Sequence, residues 1–547
     1  MKKLQENIGW AFDFLLVVLA WIFGLLTDVT GDSGLYSAIT RQMVESGDWF
    51  NLKINGEPYD QKPHLFFWLA GIGVQLFGNS NFAFKLFPFL YGAAGIYFTY
   101  RLGKQVFSEE TGKWAALITG TSQIYFLYFL DYHTDSVLQT GVILSLWQLA
   151  AYLQHKKPVN FVFGFLGAGL AMLSKGPVGA VLPFLAVLFY LVSQKDFKQL
   201  IHPKWFLGIL ISLLVISPTL IHLYNSFGLE GIKFFFITNN FGRISGSYAG
   251  SSTDYFYYVY NALWAFLPWT VFVLFALFSE LKSWFNPEIK NVWGIYLLGS
   301  VLILFFILSI AKGKAPNYFL IAVAPVAVLT GKWMEEIKNL FLPKRKILYR
   351  SHRFLMAVLV LLLFALFFFL SASKSWIFLF LLIIGGLFLF GAFRKFENIS
   401  LKNLLLHTTV IAGSLNLFLN AGVIPGLFEY QGARQVLKIY EAENRPGTQL
   451  YNFELEEYGL FFYSRKTVEN VDDWDEFYQI MDQSGTWLYT NEIKYRDILS
   501  MNYDIDTVYQ IRQRGMNSIS LQFINPKTRE QSLKTNYLVV TGGAVTE

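Results

Sequence analysis

The chain has no cysteine and little charge: Asp, Glu, Lys and Arg make up only 15% of its 547 residues. Without thiols there is no disulfide framework, and cysteine usage favours neither side of a membrane. Charge this sparse, beside 54% hydrophobic and 18% aromatic residues, excludes an ordinary soluble globular protein. The long apolar runs also lack period-2 alternation, which excludes a transmembrane β-barrel; because lipid offers backbone groups no partner, the runs must be helices. No internal repeat or low-complexity tract interrupts them. No small-residue cleavage site follows the first run, so the stretch after MKKLQENIGW reads as a retained helix rather than a signal peptide.

What is present is a polytopic α-helical membrane protein. Runs of spanning length fall near residues 7–26, 82–103, 113–130, 135–153, 159–174, 176–194, 205–224, 255–279, 293–311, 316–331, 354–371, 375–393 and 404–424, about 13 in all. With a cytoplasmic N-terminus, the inside loops include QHKKP, SQKDFKQLIHPK, GKWMEEIKNLFLPKRKILYRSHR and FRKFENISLKN, which carry most of the short-loop Lys and Arg. The C-terminal tail is then outside. The net charge of +6 is largely this inside bias and gives no reason to invoke nucleic acid.

Residues 1–425 form the expected membrane domain and 426–547 a soluble α/β domain. The first outside loop, 27–81, is too long for a connector. Tyr36, Ile39, Met43 and Val44 recur at helical spacing with Gly47 beyond them, so 34–46 is expected to form an amphipathic helix along the membrane face. HLFFWLAGIGVQLFG, after Pro63, reads as a second apolar helix. The other long loop, 225–254, is rich in Gly, Ser and Asn and is expected to be mobile, with KFFFITNNF a short interfacial segment. In the tail, TQLYNF, GLFFYS, GTWLYT and NYLVVTG read as strands between polar helices such as DDWDEFYQIMD.

The unusual polar residues all fall on outside loops: Asp32, Tyr59 to Lys62, Asp131 to Asp135, Lys175, Arg243, and Lys312 to Tyr318. Asp32 precedes GLYSAITRQM, where a carboxylate can cap a helix or, with Ser33 capping in its place, act as a general base. Lys62 in NGEPYDQKPHLFFWL, Lys175 in LSKGP and Lys312 in AKGKAPNY each stand beside glycine or proline at a helix end. Glycine admits close approach of backbone and lysine supplies charge, a combination suited to phosphate or to an ordinary interfacial turn. Arg243 is the one arginine in its loop, and a guanidinium keeps its charge in low dielectric. DYHTD offers two carboxylates and a histidine, but one short turn cannot readily aim Asp131, His133 and Asp135 at one ion.

These residues resemble a known family: the bacterial members of the protein O-mannosyltransferase superfamily, especially the lipid A aminoarabinose transferases, integral-membrane glycosyltransferases of the GT-C type. The resemblance is carried by GDSGLYSAITRQMVESGDWFNLKINGEPYDQKPHLFFWLAGIGVQLFG, LAMLSKGPVGAVLP, FFFITNNFGR and SIAKGKAPNYFLIAVAPVAVL, in that order. It implies an inverting transferase that moves a sugar from a polyprenyl-phosphate donor to a hydroxyl or phosphate of an acceptor (lipid A, another glycan or a protein). The site then faces the periplasm of the inner membrane. In those terms Asp32 is the base, Lys62, Arg243, Lys175 and Lys312 hold the donor phosphate, and Tyr59, Gln61, Asn240, Tyr318 and Asp135 bind substrate. The chain departs from the family pattern at Ser33 and Leu35, usually Glu and Arg, and at Gln61 and Asn240, usually Glu and His. The last two can hold a divalent metal in the family, and amides there imply no metal and no cofactor. A lipid-linked sugar flippase and a catalytically inactive relative are the competing readings. A flippase would be expected to bury ionisable groups near the midplane and to show related halves, neither of which is evident.

Overall fold

The computed structural model describes residues 2–542 apart from 30, 249, 287–290, 338–341, 371–400, 444–447, 465–467, 472, 482, 484 and 515–519. Among the described residues eight helices are long and apolar enough to cross a bilayer, and the bent pair Phe14–Leu26 and Gly31–Ser46 makes a ninth if taken as one span. The chain is a multi-pass membrane protein.

Several of the expected runs take a different form. Residues 176–194 yield only Val178–Ser193, and 375–393 lies outside the described residues. The run at 113–130 is split at Ser122 into Glu109–Thr121 and Gln123–Leu130, and that at 255–279 into Tyr257–Ala265 and Thr270–Trp284. The two breaks satisfy each other: Gln123 N donates to Leu267 O at 2.8 Å and Trp269 Nε1 to Thr121 Oγ1 at 2.8 Å. A break inside an apolar bundle exposes backbone groups that must find partners within the protein.

The expected mobile loop at 225–254 is helical as far as Ser245. Helix Lys204–Lys233 bends at Gly228 (φ +62°) and runs through a π-turn, Phe234–Thr238, into Asn239–Ser245. Phe235 of KFFFITNNF is buried with Met172, Ile216 and Leu223, and this burial holds a Gly- and Asn-rich segment in place.

In the first loop, helices Gly31–Ser46 and Leu65–Phe77 flank a small antiparallel hairpin, β1 Lys53–Ile54 and β2 Glu57–Pro58. Tyr36, Ile39 and Met43 are buried in one core with Phe66 and Phe67, and Gly47 at φ +71° ends the first helix as its sequence suggested. That helix begins at Gly31, so Asp32 and Ser33 lie within its first turn and neither is its cap; Ser33 Oγ donates instead to Tyr132 O at 2.7 Å. A feature absent from the sequence reading is Lys85, a buried ammonium in helix Asn81–Val106. It donates to Thr27 O at 2.6 Å, Thr27 Oγ1 at 3.0 Å and Gly24 O at 3.3 Å. A cation there satisfies the free carbonyls at the C-terminal end of helix Lys2–Leu26 and fixes the turn leading to Asp32.

The C-terminal region contains a five-stranded sheet: β3 Leu450–Phe453, β4 Val468–Val471, β5 Trp487–Asn491, β6 Ile505–Gln513 and β7 Lys534–Thr541, in the order β4-β3-β5-β7-β6. β3 pairs parallel with β4 and β5, and β7 antiparallel with β5 and β6. GLFFYS, expected as a strand, is the helix Tyr458–Tyr463. It is wedged between two cores, with Leu460 in that of the sheet and Phe462 in that of the membrane bundle, so its apolar spacing imitates a strand. Arg41 Nη1 caps its C-terminal end, donating to Phe461 O at 2.9 Å and Ser464 O at 2.6 Å. Beside it, Asp28 pairs with Arg434 at 2.7 Å and accepts from Asn81 Nδ2 at 2.9 Å, which gives that carboxylate a docking role.

Replacing Arg41 with Ala leaves the last carbonyls of Tyr458–Tyr463 without their charged donor, a loss of about 2 kcal/mol. Hydrogen exchange over 458–464 is expected to accelerate about thirtyfold with the bundle helices unchanged; unchanged exchange there counts against the capping role.

Candidate functional site

The loops that the sequence singled out converge on one cavity of about 380 Å³, walled by Lys62, Asp135, Lys175, Asn240, Arg243 and Tyr318 together with apolar side chains such as Phe236 and Leu304. Each charged group is positioned by local backbone. Lys175 is the last residue of helix Pro158–Lys175, where a cation faces free carbonyls. Its Nζ pairs with Asp135 Oδ2 at 2.5 Å and lies 4.4 Å from the Tyr318 ring centroid. Asp135, in the first turn of helix Thr134–His155, also accepts from Asn317 Nδ2 at 2.7 Å. Among the described residues Asp135 is the one carboxylate on the wall, and its Oδ2 takes both the ammonium and the amide.

Arg243 is held by its own main chain as well as its fork. Its carbonyl accepts from Gly313 N at 2.8 Å, and Lys312 N donates to Ile244 O at 3.2 Å, so the KGK turn clasps the end of helix Asn239–Ser245. The clasp requires glycine: at Gly250 (φ +92°) a Cβ would stand 2.4 Å from Gly313 Cα and 2.6 Å from Lys312 O. Nε donates to Asn239 Oδ1 at 2.9 Å and Nη1 to Tyr318 Oη at 3.0 Å. Among the described residues Nη2 has no hydrogen-bond partner.

Lys62 is half-buried between these groups, and among the described residues its Nζ has neither a hydrogen bond nor an ion pair. Burial lowers its pKa to about 8, with Lys175 and Arg243 adding to the effect against the smaller pull of Asp32 and Asp135. A cation held without an anion costs stability, and the natural relief is an anionic ligand.

Other expected site residues lie elsewhere. Asp32 is not on the cavity wall; its side chain is 64% exposed, with His133 Nδ1 at 3.7 Å from Oδ2. His133 Nε2 is 3.2 Å from Asp131 Oδ2. Burial tends to lower the His133 pKa, but Asp131, Asp32 and Asp135 outweigh it and raise it. Asp131 shows the converse: burial pushes its carboxyl up, and His133 and Ser33 bring it below its usual value. DYHTD thus divides, Asp131 to His133 and Asp135 to Lys175. Tyr59 is buried outside the cavity, its phenol pushed up by burial and by Asp32, and its carbonyl accepts from His222 Nε2 at 2.9 Å if that nitrogen carries the proton. Lys312 is exposed and off the wall; Lys314, the second lysine of AKGKAPNY, donates to Ser309 O at 2.6 Å.

At Gln61 and Asn240 the side-chain amides are engaged within the protein. Gln61 Oε1 accepts from Tyr248 Oη, and Asn240 Nδ2 donates to Phe235 O at 2.9 Å. The sequence reading gave no role to Tyr248, Asn239 or Asn317, although the last two stand inside FFFITNNFGR and SIAKGKAPNYFLIAVAPVAVL.

Residues 61–222 match the dolichyl-phosphate-mannose-protein mannosyltransferase family. The undecaprenyl phosphate-alpha-4-amino-4-deoxy-L-arabinose arabinosyl transferase of Edwardsiella ictaluri is 27% identical over 351 residues, 62% of this chain and 61% of the relative. An uncharacterized protein of Aquifex aeolicus is 29% identical over 57% of this chain and 61% of its own length. The chain thus spans about three fifths of the length of these curated relatives. The crystal structure of ArnT from Cupriavidus metallidurans bound to undecaprenyl phosphate superimposes with a TM-score of 0.77 at 18% identity, covering 97% of this chain and 98% of that one. An Archaeoglobus fulgidus oligosaccharyltransferase gives a TM-score of 0.50 at 12% identity, covering 91% and 73%. The fold is that of the GT-C glycosyltransferases. Among the structures compared, ArnT shares that fold over nearly the whole of this chain.

Lys62→Met provides a check on the charge imbalance. The folded pKa of about 8 lies below the model-compound 10.5, so the cost of holding the ammonium is complete below pH 8 and vanishes as pH rises through 10.5. The variant is therefore expected to be more stable than the ligand-free wild type at pH 7, by about 2 kcal/mol after allowance for partial exposure, with the gain shrinking above about pH 8. Thermal unfolding across that range reads it; a destabilised variant at pH 7 contradicts the imbalance.

Proposed function

We propose that the chain is an inverting glycosyltransferase that takes a sugar from a polyprenyl-phosphate donor and passes it to a hydroxyl or phosphate of an acceptor, either lipid A, another glycan or a protein. The active site and the C-terminal region face the periplasm of the inner membrane. The observation that carries this reading is the half-buried Lys62, without a protein anion, beside the free Nη2 of Arg243 in a cavity whose one carboxylate is already taken.

Chemically, the C1–O bond to the donor phosphate breaks as the acceptor oxygen bonds C1 from the opposite face, and the acceptor proton passes to Asp32. The departing polyprenyl phosphate gains a negative charge during the step, so Lys62 and Arg243 stabilise the leaving group more strongly than the bound donor, which is the condition for catalysis. Lys175, through Asp135, sets the wall against which the sugar lies, with Tyr318 and Asn240 bordering it; Gln61 and Tyr59 support that wall from outside the cavity, and Lys312, at the rim, adds field rather than contact.

The polyprenyl tail has an apolar place to lie. A second cavity, of about 410 Å³, is walled by Met172, Phe184, Val187, Trp205 and Leu213, and shares Phe236 with the charged one. A chain leaving the phosphate would pass Phe236 into lipid-like surroundings. The name of the Edwardsiella relative, an undecaprenyl-phosphate-dependent transferase, supports a donor of that class.

Asp32→Asn is expected to cut transfer by at least about a thousandfold with expression intact, read by mass spectrometry of envelope glycolipids from cells carrying each form. Lys62→Met and Arg243→Gln are each expected to weaken undecaprenyl phosphate binding about tenfold or more. Undiminished transfer by the Asn variant removes Asp32 from the chemistry, and relocation of the lipid between leaflets without any change of attachment identifies a flippase.

A further inference from the structure

The two loops that supply Lys62 and Arg243 are far apart in sequence, and something must hold them at one pocket. Tyr248 does so by direct contact. Its hydroxyl donates to Gln61 Oε1, the residue before Lys62, while Gln61 Nε2 donates to Asp60 Oδ1 at 2.8 Å and so fixes the amide's orientation. The Tyr248 ring lies 5.3 Å from the Arg243 guanidinium and packs edge-on against Phe234 at 5.2 Å.

Backbone geometry aims the tyrosine back at its own helix. Tyr248 N donates to Gly242 O at 3.2 Å, and a Cβ at Gly242 would stand 2.6 Å from Tyr248 Cβ, so only a glycine there admits the fold-back. Asn239 adds a second link: its Oδ1 accepts from Arg243 Nε at 2.9 Å, and its Nδ2 lies 3.4 Å from Gln61 O. Arg243 is thus clamped between a ring and an amide that are both fastened to residue 61.

We propose that Tyr248 is a positioning residue: it latches the second loop onto Gln61 and through its ring holds the Arg243 fork toward the pocket that Lys62 enters. The bond between the loops joins two neutral groups, a phenol and an amide, with Asp60 orienting the amide from its far side. That it serves phosphate binding rests on the polyprenyl-phosphate reading above.

Tyr248→Phe removes only the hydroxyl. With undecaprenyl phosphate as the probe and full-length protein in nanodiscs, this variant is expected to bind about tenfold more weakly than wild type, with thermal stability little changed. In an Arg243→Gln background the same change is expected to cost less than about twofold, because a residue acting through Arg243 has nothing left to position. An equal loss in both backgrounds, or no loss in either, overturns the proposal. If wild type itself does not bind undecaprenyl phosphate, the polyprenyl reading fails and the latch is decided by hydrogen exchange over residues 239–248 of the ligand-free protein. There Tyr248→Phe is expected to accelerate exchange about tenfold; unchanged exchange overturns the latch as well.

Discussion

Three cations share one half-buried cavity with a single carboxylate, and that imbalance is the constraint from which the rest of the site follows. Asp135 is consumed by Lys175 and Asn317. Lys62 is left between Lys175 and Arg243, and its lowered pKa records first its burial and then the repulsion of those two cations. The backbone carrying the arrangement is constrained: Lys62 stands in a bend followed by Pro63, ahead of helix Leu65–Phe77, and Arg243 in a helix whose end is clasped by the KGK turn.

That stiffness recurs one layer further out, where buried or half-buried cations serve backbone rather than ligand. Lys85 satisfies the carbonyls that end the first helix, Arg41 those that end Tyr458–Tyr463, and Lys314 those that end Val292–Ile310. Each uses a full charge to offset the negative pole of a helix terminus. A cation with such carbonyls is settled; Lys62 has none. The difference between a structural and a ligand-seeking lysine in this fold is thus a matter of who supplies the oxygen.

This distinction also marks where sequence reasoning stops. Composition and apolar runs revealed a helical membrane bundle, and the Gly, Pro and Lys punctuation revealed which turns gather at the cavity, because both depend on local chemistry. What they could not reveal depends on partners distant in sequence. KGK offers two lysines, and only packing decides that Lys314 caps a helix while Lys312 stays at the rim. GLFFYS has strand spacing, yet it is a helix because two different cores claim Leu460 and Phe462. Ser122 and Pro268 interrupt apolar runs that hydropathy joins, since the breaks are satisfied across space by Gln123 and Trp269. Tyr248 had no signal at all: a tyrosine in a Gly/Ser stretch looks like any exposed loop residue until its hydroxyl is seen on Gln61.

The position of Asp32, off the cavity wall, fits the same electrostatic logic. A carboxylate inside the pocket would form an ion pair with Lys62, relieving the imbalance that draws a phosphate and at the same time losing its own affinity for a proton. Kept off the wall, with its side chain 64% exposed, Asp32 faces an imidazole rather than an ammonium. Asp131 on the far side of His133 takes up part of that ring's charge, so the histidine orients Asp32 without neutralising it as a dedicated lysine partner would. Under the proposed reading the acceptor meets a base set apart from the cations, while the donor meets cations whose charges are unspent. A membrane surface, where one substrate arrives through lipid and the other from the aqueous side, is the setting in which that separation can be maintained.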